Sequence, residues 1–173
     1  MAWTYGYSIA KEELNELIRK LGEDLKGLIV NKIAPKRPIV RQLRPQDLGY
    51  ANPSWEIKIP AGATKYEINF TVPENKAIGI FGFSCVGSDI VKEVEVYAGS
   101  KRVALIPLED VYTVLNYSEY NAKFLTGEDI LKIPERTNVK LVLNVYPAPG
   151  ADTPVKFVIL GVIAEAEGDL ISY

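Results

Sequence analysis

Apolar and polar residues alternate most regularly between Trp55 and Val72. Trp55, Ile57 and Ile59 alternate with Glu56 and Lys58, and beyond Pro60-Ala61-Gly62 the residues Tyr66, Ile68, Phe70 and Val72 alternate with Glu67, Asn69 and Thr71. A period of two predicts two amphipathic strands joined by a short turn, with all seven apolar side chains on one face of a pleated sheet. That face needs cover from the rest of the chain. Upstream the period is helical. Leu14, Leu17, Ile18, Leu21, Leu25 and Leu28 form one stripe, Ser8 is placed to cap, and Glu12 and Glu13 suit the first turns. The spacing predicts one amphipathic helix over Ile9 to Leu28, weakened towards its end by Gly22 and Gly27. Such a stripe can serve as a coiled-coil seam, but packing on the chain's own sheet is the commoner outcome for a helix of this length.

Further strands are predicted over Ala77 to Cys85, Ile90 to Tyr97, Arg102 to Ile106, Ile130 to Ile133, Val139 to Tyr146 and Val155 to Ile163. The first of these is apolar on both faces, as a central strand covered on both sides would be, and its glycines suggest close approach or a bend. Ala98 to Lys101 and Pro147 to Gly150 read as turns. About eight strands at this spacing predict an antiparallel all-β sandwich or barrel. Leu108 to Leu125 is read as a short helix and a loop carrying Tyr112, Tyr117, Tyr120 and Phe124. Two N-terminal stretches stand apart. Trp3, Tyr5 and Tyr7 flank Gly6 in an aromatic arm that needs a partner surface, either this protein's own barrel, a neighbouring copy or a lipid interface. Val30 to Ser54, with Pro35, Pro38, Pro45 and Pro53 and a basic set of Lys32, Lys36, Arg37, Arg41 and Arg44, reads as a long, stiff, extended connection. The chain therefore divides into residues 1–54, holding arm, helix and connection, and a β domain over 55–173.

Composition narrows the chemistry. A chain of 173 residues suits a single core without staples, and a net charge of -2 gives no excess of positive charge to suit nucleic acid. No apolar run reaches the roughly 18 residues of a membrane-spanning helix. No signal-peptide pattern opens the chain, which leads to the expectation of synthesis in the cytoplasm. The single Cys85 sits in an apolar run and reads as a buried thiol. The chain has no histidine. That removes the Ser-His-Asp and Cys-His arrangements and histidine-based metal centres.

Any enzyme built on this chain would have to work mainly with carboxylates, lysines and tyrosines. Glu93 and Glu95 share one side of a strand, with carboxylates about 7 Å apart, a separation that inverting glycosidases use. The solvated face of an amphipathic strand shows the same pattern, and that reading outweighs a catalytic pair. Glu165, Glu167 and Asp169 alternate near the end and could offer oxygens to a hard cation, but they match no calcium loop and read better as a polar tail. The sequence therefore predicts no enzyme, no catalytic residue, no metal and no cofactor. The tyrosines from Tyr112 to Tyr120 could form a sugar platform, although cores and interfaces use such rings more often.

The aromatic arm, the amphipathic helix, the basic connection and a single eight-stranded sandwich, with Trp55 to Val72 and Ala77 to Cys85 closest to a signature, together resemble the small major capsid proteins of tailless, icosahedral, membrane-containing phages of thermophilic bacteria. The resemblance spans the whole chain but rests on no diagnostic motif. It implies a single upright jelly roll. It also implies a structural coat subunit that assembles with copies of itself, at least as a dimer, and with a larger jelly-roll coat protein into a shell over an internal membrane. Localisation would then be the virion. Subunit interfaces would be expected at Trp3, Tyr5, Tyr7, Leu14, Leu17, Ile18, Leu21, Leu25 and Leu28. A carbohydrate-binding or receptor-binding sandwich is the alternative.

Overall fold

The structure, a computed structural model, describes residues 11–30, 38–50, 53–86, 90–108, 123–125 and 127–166. Its one α-helix among the described residues is α1, Lys11–Val30. Ten strands follow: β1 (Pro38–Gln42), β2 (Glu56–Ile59), β3 (Lys65–Thr71), β4 (Lys76–Val86), β5 (Val91–Ala98), β6 (Lys101–Pro107), β7 (Lys123–Phe124), β8 (Leu131–Ile133), β9 (Asn138–Val145) and β10 (Thr153–Ala166). They form two antiparallel sheets in an all-β sandwich with the helix outside it. The first sheet runs β1-β10-β4-β7, with β2 also on β10 and β8 also on β4; the second runs β3-β9-β5-β6.

The alternation from Trp55 to Val72 is real, but its two strands are not partners. β2 pairs with β10 in the first sheet, and β3 pairs with β9 in the second. Ile57, Ile59, Ile68, Phe70 and Val72 are all buried, while Trp55 and Tyr66 pack against the same core. A period of two decides which face is buried and leaves the pairing partner open. Here the two apolar faces meet across the core rather than side by side. The crossing is made by the Pro60–Gly62 turn, where Gly62 has φ of 78°, a left-handed conformation that glycine adopts without steric cost. Bonds to a distant loop of the same chain hold it: the Gly62 N–H donates to the Pro149 carbonyl at 2.8 Å and the Ala61 N–H to Asp152 Oδ1 at 3.0 Å.

A second difference concerns the stretch read as an extended connection. Part of it is built into the sandwich. β1 pairs with β10 from Pro38↔Ala166 to Gln42↔Val162, and a 3-10 turn over Pro45–Leu48 follows. Leu43 and Leu48 are buried in the main core, so packing continues across the 54/55 boundary. The prolines mask this, because Pro38 opens an edge strand and Pro45 opens a turn, both positions that dispense with an N–H donor.

Two apolar clusters hold the layers together. The main one fills the space between the sheets and includes Phe83 stacked on Phe157, with centroids 5.7 Å apart, and the Cys85 thiol. The second lies outside the first sheet, where Leu21 and Leu25 of α1 meet Ala77, Phe81, Phe124, Val162 and Ala164. The helix therefore packs on the chain's own sheet. Its fit depends on Gly79, because a Cβ there would stand 2.7 Å from Leu21 Cδ1. With apolar cover on both faces, β4 is buried from Ala77 to Phe83, which accounts for its unbroken apolar run.

Candidate functional site

The outer face of the second sheet carries the carboxylate pair. β5 pairs with β9 so that Glu93 lies opposite Asn144 and Glu95 opposite Val142, while β6 brings Arg102 beside Tyr97. The Asn144 amide nitrogen donates to Glu93 Oε1 at 2.8 Å and to Glu95 Oε2 at 3.0 Å. Tyr97 donates its hydroxyl to Glu95 Oε1 at 2.9 Å, and Arg102 Nη1 donates to the same oxygen at 3.3 Å. Lys65 stands 3.9 Å from Glu95 Oε2, and the Lys140 ammonium lies 4.7 Å from the centre of the Tyr97 ring.

These contacts decide what the pair can do. Glu95 is only 8% exposed, and hydrogen bonds from Asn144 and then Tyr97 hold its carboxyl below the usual range. Its bond to Glu95 in turn pushes the Tyr97 phenol up. A general acid needs a carboxyl raised towards neutrality. Glu95 is shifted the other way, and an amide bridges the gap that an inverting enzyme keeps for water. The arrangement is a satisfied polar network that ties β5, β6 and β9 together. Asn144 and Arg102 were invisible as its members in the sequence because the ladder register brings them in, whereas Tyr97, two residues beyond Glu95 on the same strand, shares its face by the period of two and was missed.

A second ionic group sits where β1, β4 and β10 converge. Arg41 Nη1 and Nη2 each donate to one Asp47 oxygen at 2.8 Å, and its Nε donates to Glu165 Oε1 at 2.6 Å. Lys76 Nζ reaches Glu165 Oε2 at 3.1 Å. Glu165 is thus a buried, neutralised anchor rather than an oxygen donor awaiting a cation; Glu167 and Asp169 lie outside the described residues. Among the described residues no group of three or more His, Cys, Asp or Glu side chains could hold a metal ion. The Asp47 oxygen also accepts from the Arg44 N–H at 2.7 Å. Burial alone would raise the Asp47 carboxyl, but the Arg41 and Arg44 hydrogen bonds outweigh it and leave it below the usual range. Arg41 is held correspondingly above its ordinary value, first by Asp47.

The expected interface residues fall into three groups. Trp3, Tyr5 and Tyr7 lie outside the described residues, as do Tyr112, Tyr117 and Tyr120. Leu21 and Leu25 are buried against the chain's own sheet. Leu14, Leu17 and Ile18 are only partly buried, and Leu28 is 42% exposed. Leu14 and Ile18 form one wall of an apolar groove of about 560 Å³ on the outer face of the first sheet, opposite Val40, Phe81, Phe124 and Leu160. No described helix is long and apolar enough to cross a membrane.

No family model matches the chain, and no curated protein does. Among solved structures, it is similar to the periplasmic g-type lysozyme inhibitor PliG of Aeromonas hydrophila, at 9% identity over 74% of this chain and 86% of that one, with a TM-score of 0.29. It is also similar to the secreted serine protease VesC of Vibrio cholerae, at 12% identity over 88% of this chain and 28% of that one, with a TM-score of 0.33. For dimeric latent PorU of Porphyromonas gingivalis the identity is 14%, over 75% of this chain and 12% of that one, with a TM-score of 0.33. At these identities and scores, none of the three carries an argument about what this chain does.

Proposed function

We propose that the chain is a structural coat subunit built as a jelly roll, which assembles with copies of itself and with a larger coat protein into a virion shell over a membrane. The observation that supports the reading is strand order. If β1 and β2, which share β10, are counted as one interrupted strand, and β7 and β8, which share β4, as another, eight strands stand in two sheets of four. The chain then passes from β2 to β3, from β3 to β4 and from β4 to β5 by changing sheet each time, and changes sheet again on reaching β7, β9 and β10. That wrapping supports the jelly-roll reading, an architecture used by viral capsid domains and by lectins. The shell itself, its larger partner and the membrane rest on the resemblance to the phage coat proteins.

The test is assembly. The purified chain should self-associate in sedimentation velocity as concentration rises, and should co-assemble with its partner coat protein on lipid. A chain that stays monomeric at high concentration and joins neither would overturn the reading. Carbohydrate binding is the second reading. It is favoured by the outer face of the second sheet, where the Tyr97 ring stands beside the polar network of Glu93, Glu95, Asn144 and Arg102. Saturable binding on a glycan array, lost in Tyr97→Ala, would establish it.

A further inference from the structure

Donors and carboxylates are unevenly spread over the outer face of the second sheet. Glu93 and Glu95, with Asn144, lie towards the end where Lys65 is opposite Asn144. At the other end, where Thr71 is opposite Asn138, a shallow depression of about 350 Å³ is lined by Asn69, Thr71, Gly99, Asn138 and Lys140 over Phe70 and Val139, with no carboxylate among them. These residues and their chain neighbours all lie among the described ones. A Cβ added at Gly99 would meet nothing within 4 Å. The depression is rich in unspent donors. Thr71 Oγ1 donates to Asn138 Oδ1 at 2.6 Å, which occupies the acceptor of that amide and leaves its two N–H groups. Among the described residues, neither the Asn69 amide nor the Lys140 ammonium has a hydrogen-bond or carboxylate partner. Lys140 rests on the Tyr97 ring, 4.7 Å from its centre, a contact that places the charge without neutralising it. Lys101, two positions beyond Gly99, is exposed and adds a second positive charge at this end.

We propose that this depression binds the anionic substituent of an acidic saccharide, a carboxylate or a sulfate, with Lys140 as the charged donor and the Asn69 and Asn138 amides as neutral ones. The proposal rests on the carbohydrate reading of this face and narrows it from sugars in general to anionic ones. An anion accepts from all three groups, and hydrogen bonds to charged partners are the stronger kind. The Asn69 amide oxygen and the Thr71 hydroxyl oxygen still accept, so the same rim takes sugar hydroxyls beside the anion. Lining from two side-chain amides and one hydroxyl suits a hydroxyl-rich chain better than a bare ion, which a shallow site leaves to water.

The probes are oligogalacturonate, a sulfated heparin fragment, neutral galactose oligomers and inorganic sulfate, titrated calorimetrically into full-length protein. At least one acidic saccharide should bind saturably, and more tightly than the neutral oligomers. Lys140→Gln should weaken that binding about tenfold, the scale of one hydrogen bond to a charged group. Asn69→Ala should weaken it several-fold. Lys65→Gln removes the same charge at the other end of the face and should leave binding nearly unchanged. All three variants should keep the native circular dichroism, since Lys65 and Asn69 are exposed and Lys140 is half-buried. Equal losses in Lys140→Gln and Lys65→Gln would mean attraction by net charge alone and overturn the inference. So would inorganic sulfate bound as tightly as the acidic saccharides. Neutral oligomers bound as tightly as acidic ones, and lost in Tyr97→Ala, overturn it while leaving the carbohydrate reading standing. Binding of no saccharide at all removes both.

Discussion

The two sheets share one core, yet their outer faces differ. Outside the first sheet, α1 lays Leu21 on Gly79 and Leu25 among Ala77, Phe81 and Val162, so the face is dry and its small residues admit a helix. Outside the second, Asn144 bridges Glu93 and Glu95, and Tyr97, Arg102 and Lys65 complete a wet face. The contrast separates two kinds of stabilisation. A dry face contributes through area removed from water and through the lack of voids. A wet face exchanges hydrogen bonds with water for hydrogen bonds within the protein, and its net contribution is small.

The comparison breaks most readily at Leu25, which is fully buried. Leu25→Ala should cost about 4 kcal/mol, from lost transfer energy plus the cavity left behind. Urea unfolding with an unchanged slope measures this, and a loss below about 1 kcal/mol would mean that the helix is not part of the cooperative unit. Next is Arg41→Met, which leaves Asp47 without its forked donor and Glu165 with Lys76 alone. A loss of about 3 kcal/mol is expected, the lower end for removing one partner of a buried ion pair. The same site sets part of the acid response. The Asp47 carboxyl lies below its ordinary value in the folded protein. Its contribution to stability is therefore complete above the unfolded pKa of about 3.9 and is lost as pH falls through the lower folded value. Asp47→Asn should flatten that part of the stability profile, and an unchanged acid slope would remove Asp47 from the account.

Gly79→Ala ranks third. Its Cβ would crowd Leu21 Cδ1 at 2.7 Å and Cδ2 at 2.9 Å, so a cost of about 1–3 kcal/mol is expected from overpacking. Combined with Leu21→Ala, the glycine change should cost much less than alone, because the crowding atoms are gone. Strict additivity in that cycle would place the helix elsewhere than on Gly79.

The strands and the helix were legible because burial imposes a period. Ile57, Ile59, Ile68, Phe70 and Val72 face the core as their alternation implies, and of Ala77 to Cys85, read as covered on both sides, Ala77 to Phe83 and Cys85 are buried while Ser84 is half-buried. α1 occupies Lys11–Val30 where the apolar stripe predicts a helix over Ile9 to Leu28. Pairing was not legible. Nothing in the alternation of β2 and β3 says that they belong to different sheets, since the turn at Gly62 could equally close a hairpin. β1 was hidden for another reason. Pro38 and Arg41 look like features of a solvated connection, but Arg41 is spent on Asp47 and Glu165, the latter 124 positions away. Glu93 and Glu95 were found as a pair from their spacing, whereas Asn144, which decides their chemistry, is 49 positions beyond Glu95 and becomes a neighbour only through the β5–β9 register.

The smallest expected effect belongs to the wet face and is the sharpest test of its chemistry. The Tyr97 phenol is raised chiefly because its hydroxyl donates to the Glu95 carboxylate. Ionising the phenol removes that donor and sets a second negative charge beside the first, so phenolate is disfavoured. Glu95→Gln keeps the shape and an acceptor oxygen but removes the charge. The Tyr97 transition should then move down towards the ordinary tyrosine value, read as the difference in alkaline ultraviolet titration between this variant with and without Tyr97→Phe. The unfolding midpoint should barely change, because Asn144 and Arg102 still have polar partners and the Lys65 and Arg102 side chains, 65% and 52% exposed, stay hydrated. A large loss of stability with no movement of the phenol would reverse the comparison, making Glu95 a packing residue of the second sheet and its network incidental.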